Sequence, residues 1–67
     1  MSSENNLFRY HEFVDRASLV IEMIDNVLAA HPVAADRDLC DDLDELQKAA
    51  ARLYNSAMYA YSKKGEA

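Results

Sequence analysis

The sequence predicts an all-α protein, an antiparallel helical hairpin that pairs with a second copy to form a four-helix bundle. The chain has 67 residues, which is room for one small domain. Hydrophobic residues make up 51% of it, but glycine and proline occur once each, too little turn chemistry for a sheet protein. Apolar residues recur at helical spacing over two long stretches, and the one proline separates them.

The first stretch predicts a helix over about residues 6–30. It contains no glycine or proline, and its apolar residues repeat every three or four positions, which places them in one seam. Phe13, Val20 and Val27 lie beside this seam and widen its apolar stripe. The seam residues that we assign to core or dimer contacts are Val14, Ala17, Ile21, Ile24 and Leu28.

Pro32 predicts a turn over residues 31–36. A proline disfavours helical angles at the residue before it, so the first helix should end near Ala30. A short acidic side chain can accept a hydrogen bond from the first amides of a helix. Asp36 or Asp38 is therefore a candidate N-cap for a second helix.

The second helix is predicted over about residues 37–62, followed by a short tail at 63–67. Its apolar seam has the same spacing of four and three. In an antiparallel hairpin the two seams match residues whose numbers add to 67, such as Ile21 with Leu46. The residues of this seam that we assign to core or dimer contacts are Leu39, Leu43, Leu46, Ala50 and Leu53.

One hairpin leaves half of each apolar stripe in contact with water. Ordering the chain costs on the order of 100 kcal/mol, at about 1.5 kcal/mol per residue, which a lone two-helix layer offsets poorly. A second copy would cover the exposed stripes, and two hairpins packed at about 20° form a four-helix bundle. Twofold symmetry is the commonest closure, so we expect a homodimer.

Charge and composition narrow the classes of function. Seven Lys and Arg against twelve Asp and Glu give a net charge of -5 at pH 7, which disfavours nucleic acid as a partner and favours a basic protein. No apolar run is long enough to span a membrane, and the chain has no charged-then-apolar segment typical of a signal peptide. We therefore expect a cytoplasmic protein that does not contact membranes.

The residues predict neither an enzyme nor a cofactor. The two histidines and the one cysteine are scattered along the chain, whereas a metal site needs several ligands on converging faces. There is no glycine-rich phosphate loop, and no nucleophile has a base at recognisable spacing.

Two surfaces are candidates for binding a partner. The first is a cluster of carboxylates early in the second helix, and a merely solvated helix end is the alternative interpretation: Asp38, Asp41, Asp42 and Glu45. The second is a mixed acidic and apolar strip opposite the seam of the first helix, for which burial against the second copy is the alternative: Phe8, Glu12, Asp15, Leu19 and Met23. Tyr59, a residue type favoured at interfaces, is assigned to partner binding with them.

Part of the second helix resembles a known helical-hairpin family. The matching residues are Asp38-Leu39-Cys40, Leu53-Tyr54-Asn55-Ser56, Tyr61 and Gly65-Glu66. They resemble the second helix of the Rop family of RNA-binding dimers, whose first helices contact RNA through lysines and a phenylalanine. Here the first helix has Phe8 but no lysine, so the resemblance implies the fold, with RNA binding as an alternative function.

A second resemblance covers the whole chain in size, acidity and layout. The residues that carry it are Asn6-Leu7-Phe8-Arg9, Val27-Leu28, His31-Pro32-Val33, Leu39-Cys40 and Leu43-Asp44-Glu45-Leu46. They are similar to the small phage-encoded quorum-sensing anti-activators, which form helical dimers. This resemblance implies a non-enzymatic protein in the host cytoplasm that binds the DNA-binding region of a LuxR-type transcription regulator, with a type IV pilus assembly ATPase as another target. The alternatives are a Rop-like RNA-binding regulator and a structural adaptor.

Overall fold

The computed structural model describes the backbone of residues 3–66 and the side chains of residues 7–65. Two long helices account for most of it: α1 over Ser3–Met23 and α2 over Arg37–Glu66. The two helices pack against each other along their length. The predicted all-α class and the helical hairpin are confirmed.

A single π-helical turn, Ile24–Leu28, continues α1. Its mark is the amide of Ala29, which donates to the carbonyl oxygen of Ile24 five residues earlier at 2.8 Å. A π-helical turn holds one residue more than an α-helical turn, so the side chains after it are displaced by one position around the axis. Leu28, predicted for the seam, is therefore displaced to one side of it and is half exposed.

The connection between the helices contains the 3-10 turn Pro32–Ala35. His31 has an extended backbone, as the following proline requires, and its Nδ1 accepts a hydrogen bond from the Val33 amide at 3.1 Å. The N-cap of α2 is Asp36, whose Oδ1 accepts from the Asp38 amide at 2.9 Å.

The second helix is longer than the sequence predicts. It runs to Glu66, so most of the expected tail at 63–67 is helical, and Ala67 lies outside the described residues. Gly65 does not end the helix, because its backbone has no positive φ. Two lysines in the last turn interact favourably with the helix dipole.

Few side chains are buried inside the hairpin. Among the described side chains the buried ones are Val14, Ala17 and Ile24, all from the predicted seam of α1, and Ile21 is half-buried. The side chains of α2 on the side of α1 are half-buried and follow one another at intervals of four and three: Leu43, Gln47, Ala50, Tyr54, Ala57 and Tyr61.

This row corrects part of the predicted seam of α2. Leu43 and Ala50 belong to it, but Leu39, Leu46 and Leu53 remain exposed. Two adjacent sides of α2 could pack against α1, one with the leucines and one with tyrosines and a glutamine. Tyrosine and glutamine can pack there because they also have large apolar parts. The half-buried row occupies the side against α1, and the leucines lie on the neighbouring side.

Contacts between the helices give the register of the hairpin. Gln47 Nε2 donates to Asp25 Oδ1 at 3.1 Å, and the ring centroids of His11 and Tyr61 are 5.5 Å apart. The residue numbers of both pairs add to 72, against the predicted 67. The register differs because the connection is longer than a tight turn. Its 3-10 turn extends beyond the end of the first helix before α2 begins.

The hairpin is a rod rather than a compact particle. Its principal extents are 48 × 16 × 14 Å and its radius of gyration is 15.2 Å, against about 11 Å for a compact chain of this length. Its accessible surface is 5443 Å², against about 4300 Å² for a compact protein of this mass. A single hairpin therefore exposes roughly a quarter more surface than a typical small domain.

Candidate interaction surfaces

Each helix leaves a row of large apolar side chains exposed beside the packed seam. On α2 the row advances by seven residues, and on α1 by seven and then by eight, because the π-helical turn adds one residue. Each member is between 44% and 53% exposed. We name this surface the open face, and it consists of Phe13, Val20, Leu28, Leu39, Leu46 and Leu53.

Two grooves join the rows of the open face. The groove near the turn is lined by Leu28 from the end of the first helix and by leucines of α2: Leu39, Leu43 and Leu46. The groove near the chain ends is lined by residues from both helices: Tyr10, Phe13, Leu53, Ala57 and Ala60. Both rows therefore lie on one side of the hairpin.

Each groove has one permanently charged residue in its lining. Asp42 lines the groove near the turn, and Arg9 lines the groove near the chain ends. The sequence assigned Asp42 to partner binding and gave Arg9 no role. The spacing of four residues between Arg9 and Phe13 places both on one side of α1, and this is the signal that could have found it.

The predicted acidic cluster divides between two sides of α2. At 100° per residue, Asp38, Asp41 and Glu45 share the side away from α1, whereas Asp42 lies at the edge of the open face. We name the first three the acidic patch. They are exposed, and within the described part of the chain no cation lies within 4 Å of them.

The neighbouring carboxylate Asp44 differs from the acidic patch. It forms an ion pair with Lys48 Nζ at 3.0 Å. The carboxylates of the acidic patch can accept salt bridges from a basic surface without first breaking an ion pair of this kind.

The apolar members of the strip on α1 are the most exposed large apolar side chains described in the first helix. Phe8, Leu19 and Met23 are between 59% and 64% exposed, and they lie opposite the side that packs on α2. They are spread along 15 residues, about 22 Å of helix, so they form separate small contacts rather than one patch.

The carboxylates of the same strip have basic side chains beside them. Glu12 Oε2 accepts from Arg16 at 3.2 Å, and Asp15 Oδ2 lies 3.6 Å from His11 Nδ1. A partner that bound here would have to compete with these intrahelical contacts, which are each worth about 0.3–0.5 kcal/mol in an exposed helix.

Tyr59 lies apart from the other predicted partner-binding residues. Its ring is exposed, and Lys63 Nζ is 5.9 Å from the ring centroid. Fourteen residues of α2, about 21 Å, separate it from Glu45. The structure therefore does not bring Tyr59 and the acidic patch into one site.

None of the helices in the described part of the chain combines the length and apolarity of a membrane span. No group of three or more His, Cys, Asp or Glu side chains among these residues is arranged to hold a metal ion. Cys40 is an exposed free thiol whose Sγ lies 3.4 Å from the carbonyl oxygen of Arg37.

No protein-family model, curated protein or solved structure matches the chain. The protein is thus described by its fold: a helical hairpin with one packed side, one open apolar side and an acidic patch at the beginning of α2.

Proposed function

We propose that the chain is a non-enzymatic interaction module that forms a homodimeric four-helix bundle and inhibits a second, basic protein by binding it. The observation that carries the proposal is the open face, a stripe of six half-exposed apolar side chains, whereas three of the side chains that the structure describes are buried. Contiguous apolar surface of this kind is typical of protein-binding sites.

The surface area supports the dimer. If two hairpins reached the surface expected of a compact 15 kDa protein, they would bury about 3800 Å² in total. Obligate homodimers bury about 2000–5000 Å². The rod-like shape supplies a long contact of this size, and the open face is the apolar side available for it.

Charge supports a basic partner. The acidic patch stays outside the proposed dimer contact, because Asp38, Asp41 and Glu45 lie on a different side of α2 from the leucines of the open face. Complementary charge steers association and selects among partners more than it adds affinity.

The DNA-contacting region of a helix-turn-helix regulator is the partner class that this chemistry favours. Such a domain carries a basic surface that already binds phosphate, so a carboxylate surface of suitable shape would compete with DNA. A LuxR-type quorum-sensing regulator is the particular target that the resemblance to phage anti-activators implies, with a type IV pilus assembly ATPase as a further target.

A Rop-like RNA regulator is the second candidate. The cations in the half of the hairpin nearer the chain ends favour it: Arg9, Arg16, Arg52, Lys63 and Lys64. Against it, the exposed strip of α1 carries carboxylates between its apolar residues, and these would repel phosphate.

Affinity capture from nuclease-treated host lysate tests the proposal. The first variant neutralises the acidic patch through Asp38→Asn, Asp41→Asn and Glu45→Gln. The matched control removes the same charge from α1 through three substitutions: Glu12→Gln, Asp15→Asn and Glu22→Gln. We expect the native chain and the control to retain a helix-turn-helix protein, and the patch variant to lose it.

The other outcomes each contradict part of the proposal. Loss of binding in the control alone would indicate that the partner binds the carboxylates of α1. Equal binding by all three chains would indicate that these carboxylates do not contribute to partner binding. Loss of all captured material after nuclease treatment would favour the RNA regulator.

A further inference from the structure

The charges of the hairpin are separated along its length. In the observed register Ile21 lies level with Ala51, the middle of α2. The half nearer the turn, residues 21–51, contains eight carboxylates and two cations, a net charge of -6. In the other half, the described side chains of residues 7–20 and 52–65 contain five cations and two carboxylates, a net charge of +3. Glu4 and Glu66 lower the second value to +1 by sequence, and the two halves keep opposite signs.

The same separation is present at the open face. The groove near the turn has Asp42 in its lining, and the groove near the chain ends has Arg9. Arg9 lies about 12 residues, or 18 Å, from the middle of the rod, and Asp42 lies about nine residues, or 13 Å, from it. A twofold axis through the middle of the open face would therefore bring the Arg9 groove of one copy to within about one helical turn of the Asp42 groove of the other.

We propose that the two hairpins of the dimer pack antiparallel, with the acidic turn of each copy beside the basic chain ends of its twin. The inference rests on the proposed dimerisation through the open face and adds its orientation. In the opposite, turn-on-turn orientation, two halves of net charge -6 would lie side by side.

The distances make this charge effect large enough to select an orientation. Helices packed in a bundle have axes about 8–10 Å apart. This spacing is close to the Debye length of about 8 Å at physiological ionic strength, so charges at the edges of the contact are only partly screened. The apolar stripe is compatible with both orientations, since each groove is lined mainly by apolar side chains.

Distance measurement between spin labels tests the orientation. Cys40 is the one cysteine of the chain, is exposed, and lies near the turn, about 100° around the helix from Leu39 of the open face. A nitroxide at Cys40 should give an intermolecular distance on the order of 35 Å in the antiparallel dimer. The turn-on-turn dimer would give less than about 20 Å, because only the width of the bundle would separate the labels.

A second label position provides the matched control. Ser62 is exposed and lies about 33 Å along α2 from Cys40. A gadolinium label on Ser62→Cys in a Cys40→Ser background, mixed with nitroxide-labelled native chain, isolates the mixed pairs. Their distance should be below about 20 Å in the antiparallel dimer and about 35 Å in the turn-on-turn dimer.

The outcomes separate the orientation from the dimer itself. A short distance between two Cys40 labels would overturn the orientation and leave the dimer standing. The absence of any intermolecular coupling, together with a monomer mass in sedimentation, would overturn the dimer and with it the proposed function.

Charge exchange across the contact gives an independent measurement. In the antiparallel dimer, Asp42→Arg or Arg9→Asp alone should raise the dimer dissociation constant roughly three- to tenfold, and the double variant should restore it. Asp41→Arg is the control, because it makes the same charge change outside the open face. A double variant no tighter than the single variants would contradict the proposed pairing.

Discussion

Ile24 is the largest side chain buried between the two helices, and it lies where the α-helix passes into the π-helical turn. Its neighbour Met23 points away from the partner helix and is exposed. Adjacent residues thus have opposite environments, because each step along a helix rotates the side chain by about 100°. Substitutions at Ile24 and Met23 therefore distinguish the contribution of burial to stability from the contribution of helix propensity.

Replacement of Ile24 by alanine should lower the free energy of unfolding by about 2–4 kcal/mol, because the substitution leaves a cavity between the helices. Met23→Ala should change it by less than about 0.5 kcal/mol. Urea unfolding followed by circular dichroism at fixed protein concentration measures both. Similar losses in the two variants would indicate that the second copy, and not α2, covers this part of α1.

Removal of the N-cap should weaken the beginning of α2. Asp36→Ala loses the hydrogen bond that Asp36 Oδ1 accepts from the Asp38 amide and should cost about 1 kcal/mol. Asp38→Ala, the control, loses only a favourable dipole interaction of a few tenths of a kcal/mol. Thermal unfolding compares them, and an equal effect of both substitutions would argue against the cap.

At the scale of the elements, the sequence predicted two helices, the turn at Pro32 and the buried side of α1. These features depend on local chemistry: apolar spacing, a proline and a capping aspartate. It did not predict the π-helical turn, since no residue type marks one. It predicted only part of the side of α2 that packs on α1. Leu43 and Ala50 lie there, but the sequence favoured the row of leucines beside them over the tyrosines and the glutamine.

The sequence also predicted part of the interaction surfaces. Spacing identified the exposed strip of α1 and the carboxylates of α2, because both follow from position around a helix. Pattern could not separate Asp42 from Asp41, because that distinction depends on which side of α2 packs on α1. Arg9 could have been found, because it lies four residues before Phe13 on the same side of α1.

The last turn of α2 offers a test of helix propensity without a change in packing. Gly65 lies within the helix, and a Cβ placed there would be 4.0 Å from Leu7 Cδ1, an ordinary contact. Gly65→Ala should therefore stabilise the protein by up to about 0.5–1 kcal/mol. Ala51→Gly, at an exposed mid-helix position, should destabilise it by a similar amount.

Both variants can be measured by thermal unfolding. A loss of stability in Gly65→Ala would indicate that the end of α2 is not helical in solution.

At the scale of the whole molecule, the hairpin has the proportions of half a bundle. It is about three times as long as it is wide, and the packed seam uses one side of each helix. The buried interior is small for a chain of this length, so stability should depend on what covers the open face.

A charge in the middle of the open face should separate the copies. Leu46→Glu should convert a particle of about 15 kDa to one of 7.6 kDa in sedimentation equilibrium, with a lower melting temperature. Leu19→Glu introduces the same side chain on the exposed strip of α1 and should leave the mass unchanged. A native chain that is a stable 7.6 kDa monomer at micromolar concentration would contradict the whole scheme.

The nearness of Leu7 and Gly65 also bears on how the chain is connected. A short glycine-rich bridge between the two extremities would close the polypeptide into a ring. New chain ends could then be placed in the exposed segment at Val33. In this circularly permuted protein α2 would come before α1. The fold should therefore depend on how the two helices pack side by side, and not on which of them comes first in the chain.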